Sequence, residues 1–412
     1  MSSASIKESR SHTNSKHKEK APTQDYMIYS IGNGIVSPLA WTTEENFRAV
    51  LQGKSSLRHY EHKMDIPEPF FASLFDRHDI DDAFAGLPQQ TREQYTPVEK
   101  IAILAARQAI RQADIDASGR DVLFVLSSTK GNVDLLEENP YEAERVYLWR
   151  SAQLIAEYFG NPNQPVTVSN ACISGCAAQL TARNALLYGD FKYAVVIGAE
   201  MLSKFIISGF QSFKALSPQR CKPFDADRCG LNLGEAAAAI VYTAGNYDET
   251  TSCECHTGAL MLQNGAINND ANHISGPSRT AEGLLRSVTK CLQGFDPKSV
   301  AFINAHGTAT RYNDDMESVA VHRAALQHKP VNSLKGYFGH TLGAAGILEV
   351  LVSAAALQQH CVLKSLGADT PGTVQPLNIP MQNTPSSGNA FIKLISGFGG
   401  CNAALLFTIN NH

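Results

Sequence analysis

Short apolar runs rich in β-branched residues recur along the chain, at residues 26–31, 122–127, 166–168, 193–197, 239–242, 300–303 and 404–409. Runs of this length, bounded by turn-forming residues, predict strands buried on both faces. Between them lie stretches of helical periodicity, among them residues 97–113, 141–159 and 346–359. Such alternation predicts an α/β chain with partly parallel sheets covered by helices.

Two polar segments interrupt the pattern. Residues 1–24, MSSASIKESRSHTNSKHKEKAPTQ, are nearly devoid of large apolar side chains and predict a disordered polar tail, with a basic docking arm as the alternative. The stretch also lacks the apolar core of a signal peptide. Residues 244–255, AGNYDETTSCEC, form a linker candidate that divides the ordered chain into a first half, residues 25–245, and a second, residues 256–412. No sequence repeat relates the halves.

Composition narrows the choices. A chain of 412 residues, 43% hydrophobic, can bury a large core, and a net charge of −4 gives no electrostatic case for nucleic acid. No apolar run reaches the roughly 20 residues that span a bilayer, so membrane insertion is not expected. Nine cysteines without a pairing pattern suggest reduced thiols and a cytoplasmic location. Cys253, Cys255 and His256 cluster, but no second pair follows at zinc-site spacing, so no metal is expected.

The chemistry concentrates in four stretches. In VTVSNACISGCAAQL, residues 166–180, Cys172 stands where a strand-like run meets a small-residue helix, and a thiol at the first turn of a helix is favoured as thiolate. Cys176 follows one helical turn later. From this stretch alone, nucleophile and buried structural thiol both stay open. His306 appears at the end of a strand-like run in VAFINAHGTAT, and His340 lies in a second glycine-flanked turn, LKGYFGHTLGAAG. Both turns are read as lying between a strand and a helix, where side chains that do chemistry gather. ISGFGGCN, around Phe398, is a glycine-rich loop able to bring backbone close to a reacting oxygen, or simply a tight turn.

From about Ile28 onward the sequence resembles the β-ketoacyl-acyl carrier protein synthases, elongating condensing enzymes of the thiolase superfamily. The resemblance rests on ordered segments: IGNGIVSPLAWTTEENFRAVLQGKSSL, the Cys172 turn, KALSPQRCKPFDADRCGLNLGEAAAA, AHGTATRYNDDMES, LKGYFGHTLGAAGILE and GFGGCN. Gly32-Asn33-Gly34, by contrast, lacks the third glycine of a dinucleotide fingerprint. The resemblance implies the thiolase-like fold, five-layered α/β/α/β/α from two similar halves, in a dimer that is homomeric or heteromeric. It implies decarboxylative Claisen condensation without cofactor or metal, in a type II fatty-acid or specialised polyene, aryl-polyene or polyketide pathway. The implied partners are an acyl carrier protein bearing phosphopantetheine and its malonyl form.

Residue by residue, the resemblance makes Cys172 the acyl-accepting nucleophile. The backbone N–H groups of Cys172 and Phe398 become an oxyanion hole, with Phe398 also a gate. His306 and His340 become donors to the enolate, and Lys335 a site-ordering cation paired with Glu349. Asp314 and Glu317 become loop-orienting acids, and Thr308 and Thr310 contacts to the pantetheine arm. The Cys-His-His set separates the chain from acyl-CoA-accepting initiators, which carry asparagine at the second histidine, and from thiolases, which use a second cysteine. Cys401 stands where the elongating family commonly has threonine.

Departures from the family include Asn170, Ser396 and Cys229, together with charged residues such as Lys130, Asp134, Glu137 and Glu138 in residues 127–149, near the expected acyl pocket. They suggest a specialised system. A non-catalytic or heterodimeric chain-length partner is the competing reading, and a cysteine hydrolase the second. Carrier proteins are acidic, so Lys204, Lys214 and Arg220 are candidates for a docking patch.

Overall fold

A computed structural model describes residues 26–87, 94–246 and 259–409. The polar tail, most of the linker and the Cys253, Cys255, His256 cluster lie outside the described residues.

Ten strands form one continuous ladder. The first half contributes β1 (Tyr26–Val36), β2 (Val122–Ser127), β3 (Val166–Val168), β4 (Tyr193–Glu200) and β5 (Ala236–Asn246). The second contributes β6 (Leu260–Asn269), β7 (Val300–Asn304), β8 (Val331–Asn332), β9 (Ala390–Gly397) and β10 (Cys401–Ile409). Their spatial order is β8-β7-β9-β10-β6-β1-β5-β4-β2-β3. Read outward from the centre, each half runs in the same topological order. The senses match too: β3, β2 and β4 are mutually parallel and β4, β5 and β1 successively antiparallel, as are β8, β7, β9 and then β9, β10, β6. Duplication invisible in the sequence is therefore plain in the topology. The two ladders join through just two residue pairs, Ile28 with Leu262 and Tyr29 with Met261.

Helices supply the other layers. They are α1 (Pro97–Ala113), α2 (Leu148–Tyr158), α3 (Ser174–Leu187), α4 (Lys204–Ser212), α5 (Glu282–Cys291), α6 (Arg311–Arg323), α7 (Lys335–Phe338) and α8 (Ala345–Gln358). α1 and α2 cover the outer face of the first half, and α5, backed by α6, that of the second. α3 and α8 pack against each other and against strands of both halves, which makes five layers. α8 is apolar nearly all round, as a central helix must be, with Glu349 as its one charged residue. Where α3 crosses α8 the backbones touch: a Cβ on Gly346 would stand 2.5 Å from the Cys176 nitrogen. α1 starts where the pattern predicts, with proline at its first turn and the Glu99 carboxylate accepting the Thr96 N–H at 3.0 Å.

One predicted helix is shorter than its periodicity suggests. Residues 141–147 form an irregular segment containing a short 3-10 turn, and α2 begins only at Leu148. The cause is buried charge: Glu99 binds Arg145 through two hydrogen bonds of 2.9 and 2.7 Å, and also receives Asn132 and Ser151. Satisfying that network holds the chain off the helical path. Among the described residues no helix is long and apolar enough to cross a membrane.

Candidate active site

Cys172 sits on a sharp turn between β3 and α3. Ala171 before it takes a left-handed φ of 44°, costly for a residue with a Cβ, and Ser174 fixes the turn by donating to the Ala171 carbonyl at 2.6 Å while accepting the Asn170 N–H at 2.7 Å. The helix proper starts at Ser174, two residues beyond the thiol. Cys172 thus precedes the first turn rather than lying in it, and the expected thiolate preference is overturned: burial pushes its thiol up to about 12. A resting thiol needs a local partner before it can attack.

His340 provides one. Its Nε2 lies 2.9 Å from Cys172 Sγ, while its Nδ1 accepts the Leu342 N–H at 3.3 Å. An Nδ1 that accepts carries no proton, so in the neutral ring the proton is on Nε2 and points at the sulfur. His306 completes the group, its ring 4.9 Å from that of His340 and nearly perpendicular to it. Both imidazoles are driven well below their ordinary pKa, first by burial and then by neighbouring cations, among them Lys335 and Lys393. They are neutral donors at neutral pH. His306 follows β7 directly; His340, expected after a strand, follows the one-turn helix α7 instead.

The acids hold the His306 loop by its backbone. Glu317 accepts the N–H groups of His306 and Gly307 at 2.6 and 2.7 Å, and Asp314 accepts that of Phe224 at 2.8 Å. Burial raises Glu317 to about 7 and Asp314 to about 6. Thr308 and Thr310 lie on the cavity wall with their hydroxyls 2.9 Å apart.

Beneath the histidines, Lys335 and Lys393 both donate to Glu349, and all three side chains are buried. Two ammonium groups sharing one carboxylate leave one net positive charge. The donor atoms of Cys172, His306 and His340 lie within 4.8 Å of one another, a set a soft metal could accept. Adding a dication beside an uncompensated lysine charge is unfavourable, so these donors are better suited to handling protons and oxyanions.

A cavity of about 420 Å³ leads from these residues to the surface. Gly397 closes against Cys172, whose nitrogen lies 3.1 Å from where a Cβ would stand, and Gly399 and Gly400 take left-handed φ values of 84° and 74° that let the loop turn. Phe398, at the mouth, packs on Phe210 at 5.7 Å and Phe213 at 5.6 Å. The Cys401 thiol donates to the Phe398 carbonyl at 3.4 Å and faces that of Asn170 at 3.9 Å, so it ties the two loops together rather than offering a second nucleophile. Residues 127–149 do not line this cavity, but Lys130 acts electrostatically on Cys172, and its backbone N–H shares the Glu200 carboxylate with that of Gly343.

Comparison with known proteins agrees with this geometry. Residues 27–244 match the N-terminal domain of β-ketoacyl synthases, and residues 260–369 their C-terminal domain. The chain belongs to the β-ketoacyl synthase family. Its activity is that of the family, formation of a 3-oxoacyl thioester by elongating condensation. Relatives include 3-oxoacyl-acyl-carrier-protein synthase 2 of Rhizobium meliloti, 27% identical over 91% of this chain and 97% of its own, and that of Staphylococcus aureus strain MRSA252, 25% identical over 93% and 99%. Among solved structures, a ketosynthase from Xenorhabdus doucetiae in complex with its chain length factor superposes with a TM-score of 0.80 at 23% identity, covering 93% of this chain and 98% of that one.

Within the synthase, sequence reasoning found the cysteine, both histidines, Lys335 and Glu349, and the fold brings them together across the two halves. It missed Lys393, and with it the charge of the site. The one signal was a lysine in the middle of an apolar run, AFIKLIS, which reads as a solvated position and is instead fully buried.

Proposed function

We propose that the synthase takes an acyl group from an acyl carrier protein onto Cys172, then condenses it with a malonyl group delivered the same way. The observation that carries this reading is the His340 Nε2–H aimed at Cys172 Sγ, its tautomer fixed by the Leu342 N–H.

In the first step Cys172 Sγ bonds to the thioester carbonyl carbon, the pantetheine sulfur departs, and the thiol proton ends on that leaving group. Charge developing on Sγ is stabilised by His340, and charge on the carbonyl oxygen by the N–H groups of Cys172 and Phe398. Next, the bond to the malonyl carboxylate breaks and carbon dioxide leaves. The electron pair passes to the thioester oxygen, where the imidazole N–H groups of His306 and His340 receive it. The enolate carbon then attacks the acyl-Cys172 carbonyl, the carbon–sulfur bond breaks, a product two carbons longer leaves on the carrier, and the released Cys172 thiolate takes up a proton from solvent to restore the resting thiol.

Thr308 and Thr310 suit the amides of a pantetheine arm lying along the cavity wall. Exposed Lys204, Lys214 and Arg220 suit an acidic carrier, and Lys214 reaches the cavity mouth. A dimer is part of the reading: Leu136, Tyr147 and Trp149 expose apolar surface, and the Xenorhabdus relative pairs with a chain length factor. A cytoplasmic location goes with a carrier-borne substrate. The partner-only reading is disfavoured by the intact Cys172, His306 and His340 set.

Intact-protein mass spectrometry tests the proposal. Incubation with saturated, polyunsaturated and aryl-conjugated acyl carrier proteins should place one acyl group on Cys172, and malonyl carrier protein should discharge it as a longer product. Loading that ends in hydrolysis regardless of malonyl would indicate a hydrolase instead, and no loading by any acyl carrier would overturn the assignment for the isolated chain.

A further inference from the structure

Lys393 is a residue the condensing chemistry does not at first require. It lies on β9, fully buried, and its Nζ meets three acceptors: Glu349 Oε2, Asn304 Oδ1 at 2.7 Å and the Ala305 carbonyl at 3.3 Å. Three acceptors match the three hydrogens of an ammonium, whereas a neutral amine would leave one of them facing a lone pair. Glu349 also receives Lys335, so one carboxylate answers two cations.

Burying that imbalance is costly, and a mere space-filler would be better served by an apolar side chain. The excess charge lies close to the reacting atoms. Ala305, whose carbonyl takes one Lys393 hydrogen, immediately precedes His306, and Glu349 lies on α8, the helix that follows the His340 turn. We infer that Lys393 is a positioning residue for condensation: with Lys335 it straddles Glu349, giving the floor one net positive charge that adds to burial in holding His306 and His340 as neutral donors and favours the enolate oxygen they receive. This inference rests on the condensing reading above.

The surroundings are consistent with that role. Facing the histidines are Lys335 from α7, Lys393 from β9, the thiol of Cys172 before α3, and each other. Glu317 and Asp314 on α6 lie near His306, but their carboxyl oxygens are engaged by the backbone N–H groups of His306, Gly307 and Phe224 and by the Asn313 amide. Glu349 is occupied by the two lysines. Cys176 on α3 stays a thiol, pushed up to about 12 by burial. Among the described residues no carboxylate contacts either imidazole, so the charge left over after Glu349 answers the two lysines acts on them at close range.

Two variants separate charge from shape. Lys393→Met removes the ammonium and leaves a neutral Lys335–Glu349 pair; Asn304→Asp leaves Lys393 in place and cancels its charge. In both, removing net positive charge makes imidazole protonation easier. The titrations of His306 and His340, followed by NMR in labelled full-length protein, should move to higher pH by about one unit or more. The acidic limb of malonyl-carrier decarboxylation should shift in the same direction, with a fall of about tenfold at neutral pH. A purely structural lysine predicts reduced thermal stability in Lys393→Met with unmoved histidine titrations and an unmoved pH profile, and that result would overturn the inference. If Lys393→Met does not fold, Asn304→Asp decides alone. If the wild-type protein neither decarboxylates nor condenses malonyl carrier, the condensing reading fails, while the imidazole titrations still decide whether Lys393 sets the histidines' charge.

Discussion

At the floor of the cavity, Lys335 and Lys393 are wholly buried and both bound to buried Glu349, whereas at its mouth Phe398 is 37% exposed and its ring rests on those of Phe210 and Phe213. Both regions lie within reach of the same cysteine. The floor is built from charge removed from water, which demands fixed geometry because any unpaired group there is heavily penalised. The mouth is built from ring contacts and a glycine loop, which can rearrange at small cost. Rigid donors belong where charge develops, and adaptable surface belongs where a long substrate must enter and leave.

Substitutions at the floor should therefore abolish chemistry or stability, and those at the mouth should change entry alone. The largest effect is expected for Cys172→Ala: no acyl adduct by mass spectrometry and no condensation, with the fold intact by circular dichroism. His340→Ala should follow, lowering malonyl decarboxylation about 10²–10³-fold, the loss typical of one oxyanion donor; an unchanged rate would break the assignment of the floor to chemistry. Glu349→Gln leaves two buried ammonium groups without a carboxylate and should cost about 3–5 kcal/mol in denaturant unfolding. Phe398→Ala should spare malonyl decarboxylation far more than it spares acyl transfer from carrier, a split that sharpens the contrast between the regions. The smallest effect is expected at the rim, where Lys214→Glu should slow acyl loading several-fold at low salt, with the difference shrinking as salt is added.

The acids beneath the His306 loop give a pH test. Glu317 is raised from 4.5 to about 7, so the stability it contributes is fully present below about 4.5 and is lost as pH rises through about 7. Unfolding midpoints measured across that window should decline, and Glu317→Gln should flatten the decline.

How legible the molecule was from sequence follows the same division. The strands at residues 122–127 and 166–168 were readable because their sequences, VLFVLS and VTV, are dominated by apolar and β-branched residues, and the candidate catalytic turns because glycine, histidine and cysteine mark them. β6 was not, because LMLQNGAINN is half polar and gains its strand character from pairing with β10 along nearly its whole length. β9 was hidden by Lys393, whose charge reads as solvent-facing until Glu349 is seen beside it. The short start of α2 reflects the Glu99–Arg145 network, and its partners lie 46 residues apart. Family resemblance supplied the roles; long-range charge pairing, which one sequence does not display, accounts for most of what was missed.

In the proposed reaction the nucleophile, Cys172, comes from one half of the ladder and the histidines from the other, and the ladders meet through two residue pairs. On the ribosome this makes reactivity a property of the completed chain. A nascent chain carrying Cys172 but not yet His340 and Phe398 has neither donor nor oxyanion pocket, and its thiol stays an ordinary one. Proteolytic nicks between the halves that let them separate should silence the enzyme at once rather than leave a leaky thioesterase.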